Sequence, residues 1–216
     1  MLDAHNLYRF FHAGDEEVVA LERVSLRLEL GDFVAVVGPS GSGKSTLLEC
    51  LGGLDEPDGG TVTIDGERLS RQREPVRARL RARHVGFLFQ TGNLIPHLTV
   101  AENLRVTQSL VTRERRADAA GLLERLGIAA RANSLPSQLS GGEAARAGLA
   151  NACANSPTVL LADEPTGEVD SVIEAEVIAL IADEAERGAS VLVATHSDAV
   201  ARAAHRVIRL DNGRVA

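Results

Sequence analysis

A glycine-rich loop at residues 38–46 carries the strongest chemical signal in this sequence. It reads Gly-Pro-Ser-Gly-Ser-Gly-Lys-Ser-Thr and matches the pattern G-x-x-x-x-G-K-[ST] in full. Glycines let a backbone wrap closely around phosphate oxygens, and a helix that starts at the end of the loop presents its positive end to the same anion. The residues predicted to hold the phosphates are Gly38, Ser40, Gly41, Ser42, Gly43, Lys44, Ser45 and Thr46.

Within this loop, Lys44 is predicted to reach the outer phosphates of a nucleoside triphosphate, and the Ser45 hydroxyl to ligate Mg²⁺. Lys44 is the one lysine among 23 basic residues, and the other 22 are arginines. A compact ammonium that follows a moving phosphate differs from a planar guanidinium, which favours a chemical role for Lys44. The competing interpretation is a chance glycine-rich turn.

Two adjacent acidic residues end the apolar run Leu160-Leu-Ala-Asp-Glu. An acid at the end of a buried strand, beside a phosphate loop, can hold Mg²⁺ through its water shell, and this describes Asp163. Glu164 is suited to polarise an attacking water. Taken alone, the pattern also fits a buried strand that ends in solvated acids.

A second anion-binding helix start is predicted at Leu139-Ser-Gly-Gly-Glu. A domain with one phosphate loop has no evident use for another such site, whereas two copies arranged head to tail would each clamp the nucleotide held by the other. Ser140, Gly141, Gly142 and Glu143 are therefore predicted to contact the partner's nucleotide. The simpler alternative is that Ser140 only caps the helix.

The elements that position these residues alternate between strands and helices. Several apolar runs are continuous, which is typical of strands buried on both faces of a parallel sheet. Predicted strands are 21–30, 33–37, 61–64, 85–89, 158–162, 190–195 and 207–210. Predicted helices are 45–51, a surface helix within the Arg-rich segment 67–84, an insert with helical periodicity between Gln90 and Gln138, then 144–154, 172–187 and 199–204.

Five segments, in this order, are similar to the ATP-binding subunits of ABC transporters: GPSGSGKST (38–46), FLFQ ending at Gln90, LSGGE (139–143), LLADEPTGEVD (160–170) and ATHSD (194–198). The resemblance covers essentially the whole chain. It implies one α/β P-loop NTPase domain with a mostly parallel sheet flanked by helices and an N-terminal antiparallel β part. The core is expected at 1–90 and 157–216, with a helical subdomain at 91–156.

The same resemblance assigns roles to residues outside the loop. Phe11 resembles the aromatic residue that stacks on adenine, with Tyr8 as the alternative. Gln90 resembles the glutamine that senses Mg²⁺ and the attacking water. Glu164 resembles the catalytic base, and His196 the histidine that contacts the γ-phosphate.

The segment Glu168-Val-Asp170 resembles the loop that meets the partner subunit, with Asp170 in the Asp position. Several positions depart from the family pattern. Ala144-Ala-Arg146 replaces a Gln-rich turn while keeping the arginine, Asn151 stands where an arginine is frequent, and Glu168 and Val169 replace the usual Asn and Leu.

Three local stretches, at 13–17, 93–100 and 162–167, resemble the subgroup that serves lipoprotein release, macrolide export and cell division. The expected function is ATP binding and hydrolysis that powers a separate membrane permease through nucleotide-driven dimerisation. The expected partners are the permease and a second ATP-binding subunit, and the expected location is the cytoplasmic face of the membrane. The alternatives are a soluble ABC ATPase of the repair or translation type, a P-loop kinase or GTPase, and a purely regulatory nucleotide-binding module.

Composition narrows these alternatives. The 216 residues carry a formal net charge of −7, which disfavours broad phosphate neutralisation on a nucleic acid. We expect no membrane-spanning run and no signal peptide. The two cysteines, Cys50 and Cys153, lack metal-ligand spacing and are expected to be reduced, buried thiols.

Overall fold

The computed structural model describes residues 1–13, 16–167 and 169–216. The strands are β1 (Leu2–Ala13), β2 (Glu16–Leu28), β3 (Phe33–Val37), β4 (Gly59–Ile64), β5 (Glu67–Arg68), β6 (Val85–Leu88), β7 (Val159–Asp163), β8 (Ser190–Thr195), β9 (Arg206–Asp211) and β10 (Arg214–Val215). The α-helices are α1 (Lys44–Leu51), α2 (Glu74–His84), α3 (Val100–Ser109), α4 (Ala119–Arg125), α5 (Gly141–Cys153), α6 (Ser171–Glu186) and α7 (Asp198–Ala203).

A six-stranded sheet in the order β10-β9-β3-β8-β7-β6 forms the centre of the fold. Strands β9, β3, β8, β7 and β6 are parallel, and β10 is an antiparallel edge strand. The uniformly apolar runs predicted to be buried on both faces are β3, β7 and β8. Because parallel strands share one carboxyl edge, the residues that follow β3, β6, β7 and β8 meet there.

An antiparallel sheet in the order β2-β1-β4-β5 packs beside the first sheet. The strand predicted at 21–30 is longer than expected and begins at Glu16. It pairs with β1, whose twelve residues were not recognised individually as a strand. The α/β class with an N-terminal antiparallel part is confirmed.

Between β6 and β7 the chain is helical. Thr99 and Ser140 begin α3 and α5 with complete capping boxes, and Asp118 caps α4. One core cluster runs from Leu104 and Leu122 in this insert to Leu160 and Val193 in the central sheet. The insert is therefore packed directly on the strands that carry the candidate site.

The Arg-rich segment 67–84 differs in part from expectation. Its first residues form the short strand β5, and the helix is confined to Glu74–His84, where Pro75 occupies the first turn. Arg77 and Arg81 both pair with Glu74, so part of the charge run is internally neutralised.

Cys50 and Cys153 are both free and buried, as predicted. None of the helices in the described ranges combines the length and apolar character that crossing a membrane requires.

Candidate active site

A cleft of about 690 Å³ opens at the carboxyl edge of the parallel strands. It gathers residues that the sequence separates by up to 185 positions, from Phe11 to His196. The lining residues are Phe11, Val18, Val19, Ala20, Ser40, Gly41, Gly43, Lys44, Ser45, Thr46, Gln90, Asp163, Glu164, Gly167 and His196.

The glycine-rich loop joins β3 to α1 as predicted, and two of its glycines have no room for a side chain. Gly43, the N-cap of α1, has φ = 100°, and a Cβ there would lie 2.3 Å from the Ala20 carbonyl oxygen. A Cβ on Gly38 would lie 2.0 Å from the Leu210 carbonyl oxygen. Only glycine fits both the backbone conformation at position 43 and the close approach at position 38.

Ser42 shapes the loop rather than lining the cleft. Its side chain is 2 % exposed, its amide donates to the Pro39 carbonyl at 3.2 Å, and its carbonyl accepts from the Gly213 amide at 3.0 Å. The turn between β9 and β10 therefore holds the glycine-rich loop in place through this hydrogen bond. Gly38 likewise supports the loop and does not face the cleft.

The Lys44 side chain points back toward the first residues of its own loop. Its ammonium donates to the carbonyl oxygens of Gly38 at 2.9 Å and Pro39 at 3.1 Å, and to His196 Nε2 at 3.2 Å. An ammonium can only donate, so His196 Nε2 faces it as the acceptor. The contact brings two predicted phosphate-binding residues together across 152 positions.

Glu164 has one carboxylate oxygen that is free to accept a hydrogen bond. Its backbone adopts a left-handed conformation with φ = 46°, which is strained for a residue with a side chain. One carboxylate oxygen accepts from the His196 amide at 3.1 Å. The other is buried, lies 3.5 Å from His196 Nε2, and has no hydrogen-bond partner in the described chain. This second oxygen is therefore left to accept from a group that enters the cleft.

The three residues predicted to ligate Mg²⁺, namely Ser45, Gln90 and Asp163, all line this cleft. Hydroxyl, amide and carboxylate oxygens form the hard donor set that Mg²⁺ prefers, with remaining positions taken by water and phosphate. The described residues contain no group of three His, Cys, Asp or Glu side chains that would bind a metal unaided. The donors present fit an ion that arrives with a phosphate.

Gln90 lies in a short ordered loop after β6. Asn93 closes this loop by accepting from the Phe89 amide at 2.7 Å and donating to the Phe89 carbonyl at 2.6 Å. Asn151 of α5 donates to the Asn93 carbonyl at 3.1 Å, and its side-chain oxygen accepts from Thr107 at 2.7 Å. The asparagine that departs from the family pattern therefore connects the insert to the Gln90 loop.

The structure separates the two aromatic candidates for the nucleobase contact. Phe11 lines the cleft and is 40 % exposed. The Tyr8 ring instead stacks on Phe10 with centroids 6.1 Å apart, and its hydroxyl accepts from Arg23 Nε at 2.7 Å. This arrangement favours Phe11.

Ser140, Gly141, Gly142 and Glu143 lie at the start of α5 and do not line the cleft within the described chain. Ser140 and Gly141 are exposed. Gly142 is buried, and a Cβ there would approach the Ile173 side chain of α6 to 2.8 Å. Ser140 Oγ accepts from the Glu143 amide, and a hydroxyl that accepts in this way can still donate to a ligand. Capping and anion binding are therefore compatible.

Glu143 completes the capping box. Its carboxylate accepts from the Ser140 amide at 2.8 Å and from Arg131 Nε at 2.8 Å. The backbone hydrogen bond from Ser140, followed by the bond from Arg131, lowers the pKa of Glu143 to about 2. The side chain is thus an anion tied to its own helix start, which makes it a support for the turn.

Asp170 caps α6, and its Oδ1 accepts from the amides of Val172 and Ile173. Within one chain it therefore holds the helix start and is not part of the cleft. Glu168, the other departure noted in this loop, lies outside the described residues, as do Gly14 and Asp15.

Sequence reasoning missed two residues near the site. Glu174 accepts from Ser197 at 2.6 Å and from Thr166 at 3.2 Å, which ties the segments after β7 and β8 together. Arg9 lies over the Phe11 ring. Nothing in the local sequence pattern marks either residue, because their partners lie far along the chain or their role depends on the tertiary arrangement.

The chain belongs to the ABC transporter family, since the family model described as "ABC transporter" matches residues 21–167. Among solved structures, it is similar over its full length to the ATP-binding cassette MJ0796 in a dimeric post-hydrolysis state bound to ADP and Pi. The TM-score is 0.90, the identity 36 %, and 96 % of that chain is covered. A second dimeric structure of MJ0796, described as a bacterial ABC transporter cassette, gives a TM-score of 0.90 at 37 % identity, with 100 % and 96 % of the two chains covered. The chain is accordingly an ATP-binding ATPase cassette of this family.

Among curated relatives, the chain is 43 % identical over 218 residues to the macrolide export ATP-binding/permease protein MacB of Burkholderia pseudomallei (strain 1710b), with 100 % of this chain and 33 % of that protein covered. It is 40 % identical over 218 residues to MacB of Salmonella typhimurium (strain LT2), with 100 % and 34 % covered. The chain spans about a third of the length of these relatives.

Proposed function

We propose that two copies of this cassette close head to tail over two ATP–Mg²⁺, and that the resulting motion drives a membrane permease. The observation that carries this proposal is the location of Ser140 and Gly141. They form an exposed helix start outside the cleft that contains Lys44, so a phosphate in that cleft needs a second chain to reach them.

Seven residues that line the cleft have a role in this scheme. Lys44 leaves its loop carbonyls to bind the terminal phosphates, and His196 contacts the γ-phosphate. Glu164 orients or deprotonates the attacking water with its free oxygen. Ser45, Asp163 and Gln90 would hold Mg²⁺, which would supply positive charge against the phosphates. Phe11 stacks on the adenine.

Loss of the γ-phosphate removes the group that holds the two copies together. The copies then open, and the loop from Phe89 to Asn93 passes this motion to the helical insert through Asn151. In this scheme Glu164, His196, Lys44 and Gln90 are the catalytic residues, and Asp170 supports the surface that meets the partner.

The composite site is tested by mixing two inactive variants. Lys44→Ala removes the ammonium but keeps the start of α5. Ser140→Asp keeps a helix cap but adds an anion where the partner's γ-phosphate would lie. A mixed pair contains one intact site, made from Lys44 of one chain and Ser140 of the other.

We therefore expect ATPase activity in the mixture and little in either variant alone, measured as phosphate release over a range of mixing ratios. Ser140→Thr, which keeps both hydroxyl and cap, is the matched control and should retain activity. No recovery at any ratio, with both variants folded, contradicts a site built from two chains.

For the permease contact we propose a groove of about 600 Å³ beside the Gln90 loop. Its apolar lining includes Leu54, Phe87, Phe89 and Leu110, of which Leu110 is 64 % exposed. Phe87 and Phe89 stack with centroids 5.3 Å apart. We propose that this surface takes an apolar face of a cytoplasmic permease segment, with the cassette at the inner face of the membrane.

This second contact is tested by sedimentation of the purified cassette with membranes of its source cell. We expect Leu110→Glu to abolish co-sedimentation. Leu30→Glu alters a residue of equal exposure, 63 %, outside the groove and should co-sediment like the unaltered chain. Equal sedimentation of both variants, with equal melting temperatures, contradicts docking at this groove.

A further inference from the structure

The structure holds an arginine in a fixed position against the proposed nucleobase-stacking residue. The guanidinium carbon of Arg9 lies 4.6 Å from the centroid of the Phe11 ring, within the range of a cation–π contact. Both residues belong to β1, two positions apart.

Arg9 is held in place by two acids of the loop that follows α1. Its Nε donates to Asp55 Oδ2 at 2.6 Å and its Nη2 to Asp55 Oδ1 at 3.0 Å, a bidentate pair. Its Nη1 donates to Asp58 Oδ2 at 3.1 Å, and the Phe10 amide donates to the same oxygen at 2.8 Å. The Arg9 side chain is only 21 % exposed. A guanidinium with these three bonds cannot rotate away from the ring without breaking them.

The two faces of the Phe11 ring therefore differ. One face of the ring is covered by the Arg9 guanidinium. Among the described residues that line the cleft, Phe11 is present and Arg9 is not. The uncovered face is the one left for a flat ring that enters the cleft. A phenyl ring lacks the hydroxyl through which a tyrosine could be anchored, so its packing against Arg9 contributes to fixing its orientation.

We propose that Arg9 is a positioning residue for nucleobase binding, which acts by fixing Phe11 as a one-sided platform so that adenine stacks on the face opposite the guanidinium. The inference rests on the proposed stacking role of Phe11. It adds a three-layer arrangement of guanidinium, phenyl ring and base, and an energetic role for Asp55 and Asp58 in nucleotide affinity through Arg9.

The test compares a ligand that has a base with one that lacks it. Affinities for ATP–Mg²⁺ and for inorganic tripolyphosphate–Mg²⁺ are measured by calorimetry on the full chain, with Arg9→Leu as the main variant. Arg9→Lys is the conservative variant, because it keeps the charge but loses the planar bidentate group. Arg105→Leu, at a residue 70 % exposed on α3, is the matched control.

We expect Arg9→Leu to raise the Kd for ATP by about threefold to tenfold and to leave tripolyphosphate affinity unchanged. In steady-state kinetics the change falls on KM for ATP and not on kcat. In a Phe11→Ala background the Arg9 substitution should have no further effect on ATP affinity. Arg9→Lys should show the same pattern at smaller size, which keeps the test valid if Arg9→Leu is poorly folded.

An unchanged Kd for ATP in both Arg9 variants overturns the proposal, and so does an equal loss of affinity for ATP and tripolyphosphate, since that loss would not act through a base. Failure of the proposed function has a different signature. If the cleft does not bind nucleotide at all, Lys44→Ala leaves both affinities unchanged, whereas a functional cleft loses both in that variant.

Discussion

Replacing Glu164 by glutamine alters only the proposed base of the cleft. One carboxylate oxygen accepts from the His196 amide at 3.1 Å, and the glutamine carbonyl oxygen can take that bond without a change in backbone. The amide nitrogen then occupies the place of the buried oxygen that has no partner in the described chain. The substitution therefore removes the acceptor for a water proton while preserving shape.

The expected loss follows from the role assigned to this oxygen. General base catalysis contributes about 10²- to 10⁴-fold to a rate, so kcat should fall by that factor, equivalent to about 2.7–5.4 kcal/mol of activation free energy. ATP affinity should stay the same or rise, because a negative charge facing the γ-phosphate is removed. The free energy of unfolding should not decrease, since no hydrogen bond is lost.

The assay is single-turnover phosphate release at saturating ATP–Mg²⁺, combined with a direct measurement of ATP affinity. Glu176→Gln is the matched control, because Glu176 lies on α6, pairs with Arg146 at 3.1 Å and is largely exposed outside the cleft. If Glu164→Gln turns over ATP within threefold of the control, the assignment of Glu164 as the base is refuted.

Three further outcomes follow from the packing and charge of the fold. Gly43→Ala should destabilise the fold by about 2–5 kcal/mol and abolish ATP binding, because strain at φ = 100° adds to the clash with Ala20. Gly41→Ala, at φ = 77° with open space around it, should destabilise the fold by about 1–2 kcal/mol. Urea unfolding measures both losses. Burial raises the pKa of Cys50 to about 12 and that of Cys153 well above its usual value. An aromatic disulfide reagent at pH 8 should therefore label neither thiol in the folded chain and both thiols in denaturant. Rapid labelling of the folded chain would contradict their burial. The depressed pKa of Glu143 means that its charge stabilises the fold above its ordinary pKa of 4.5, and that this contribution is lost as pH falls toward about 2. The difference in urea midpoint between the unaltered chain and Glu143→Gln should therefore close between pH 4.5 and 2. A difference that persists at pH 2 would contradict the assigned pairing.

The central sheet was predictable because its strands carry a simple signal. Phe33–Val37 and Ser190–Thr195 are short runs of mostly apolar residues between turn residues, and the structure buries nearly every side chain in them. Once such strands are taken as parallel, the residues after them must share one edge. The meeting of Lys44 and His196 at this edge agrees with that geometry, whereas the role of His196 was predicted from the family resemblance.

The first strand was harder to recognise because its alternation is interrupted. Its pairing with β2 shifts register between Ala4 and Leu7, between Leu7 and Arg9, and again before Phe10, and Asn6 has φ = 50°. Each irregularity resets the period of two by which a strand is recognised. This strand is defined by its pairing with β2, which no local sequence pattern shows.

The finer features of the site depend on long-range contacts that no local pattern contains. Glu164, with its left-handed backbone and free oxygen, donates its amide to the Ala194 carbonyl of β8 at 2.9 Å. The pairing of Arg9 with Asp55 spans 46 positions. These are the features on which the catalytic proposal and the nucleobase platform depend.

The most direct measurement of the central claim is the mass of Glu164→Gln in solution with and without ATP–Mg²⁺. The two-copy scheme predicts a change from 22.9 kDa to twice that mass when ATP is added, and reversal of the change by Ser140→Asp in the same chain. A mass that stays at 22.9 kDa while ATP saturates the cleft would contradict an active site completed by a second copy.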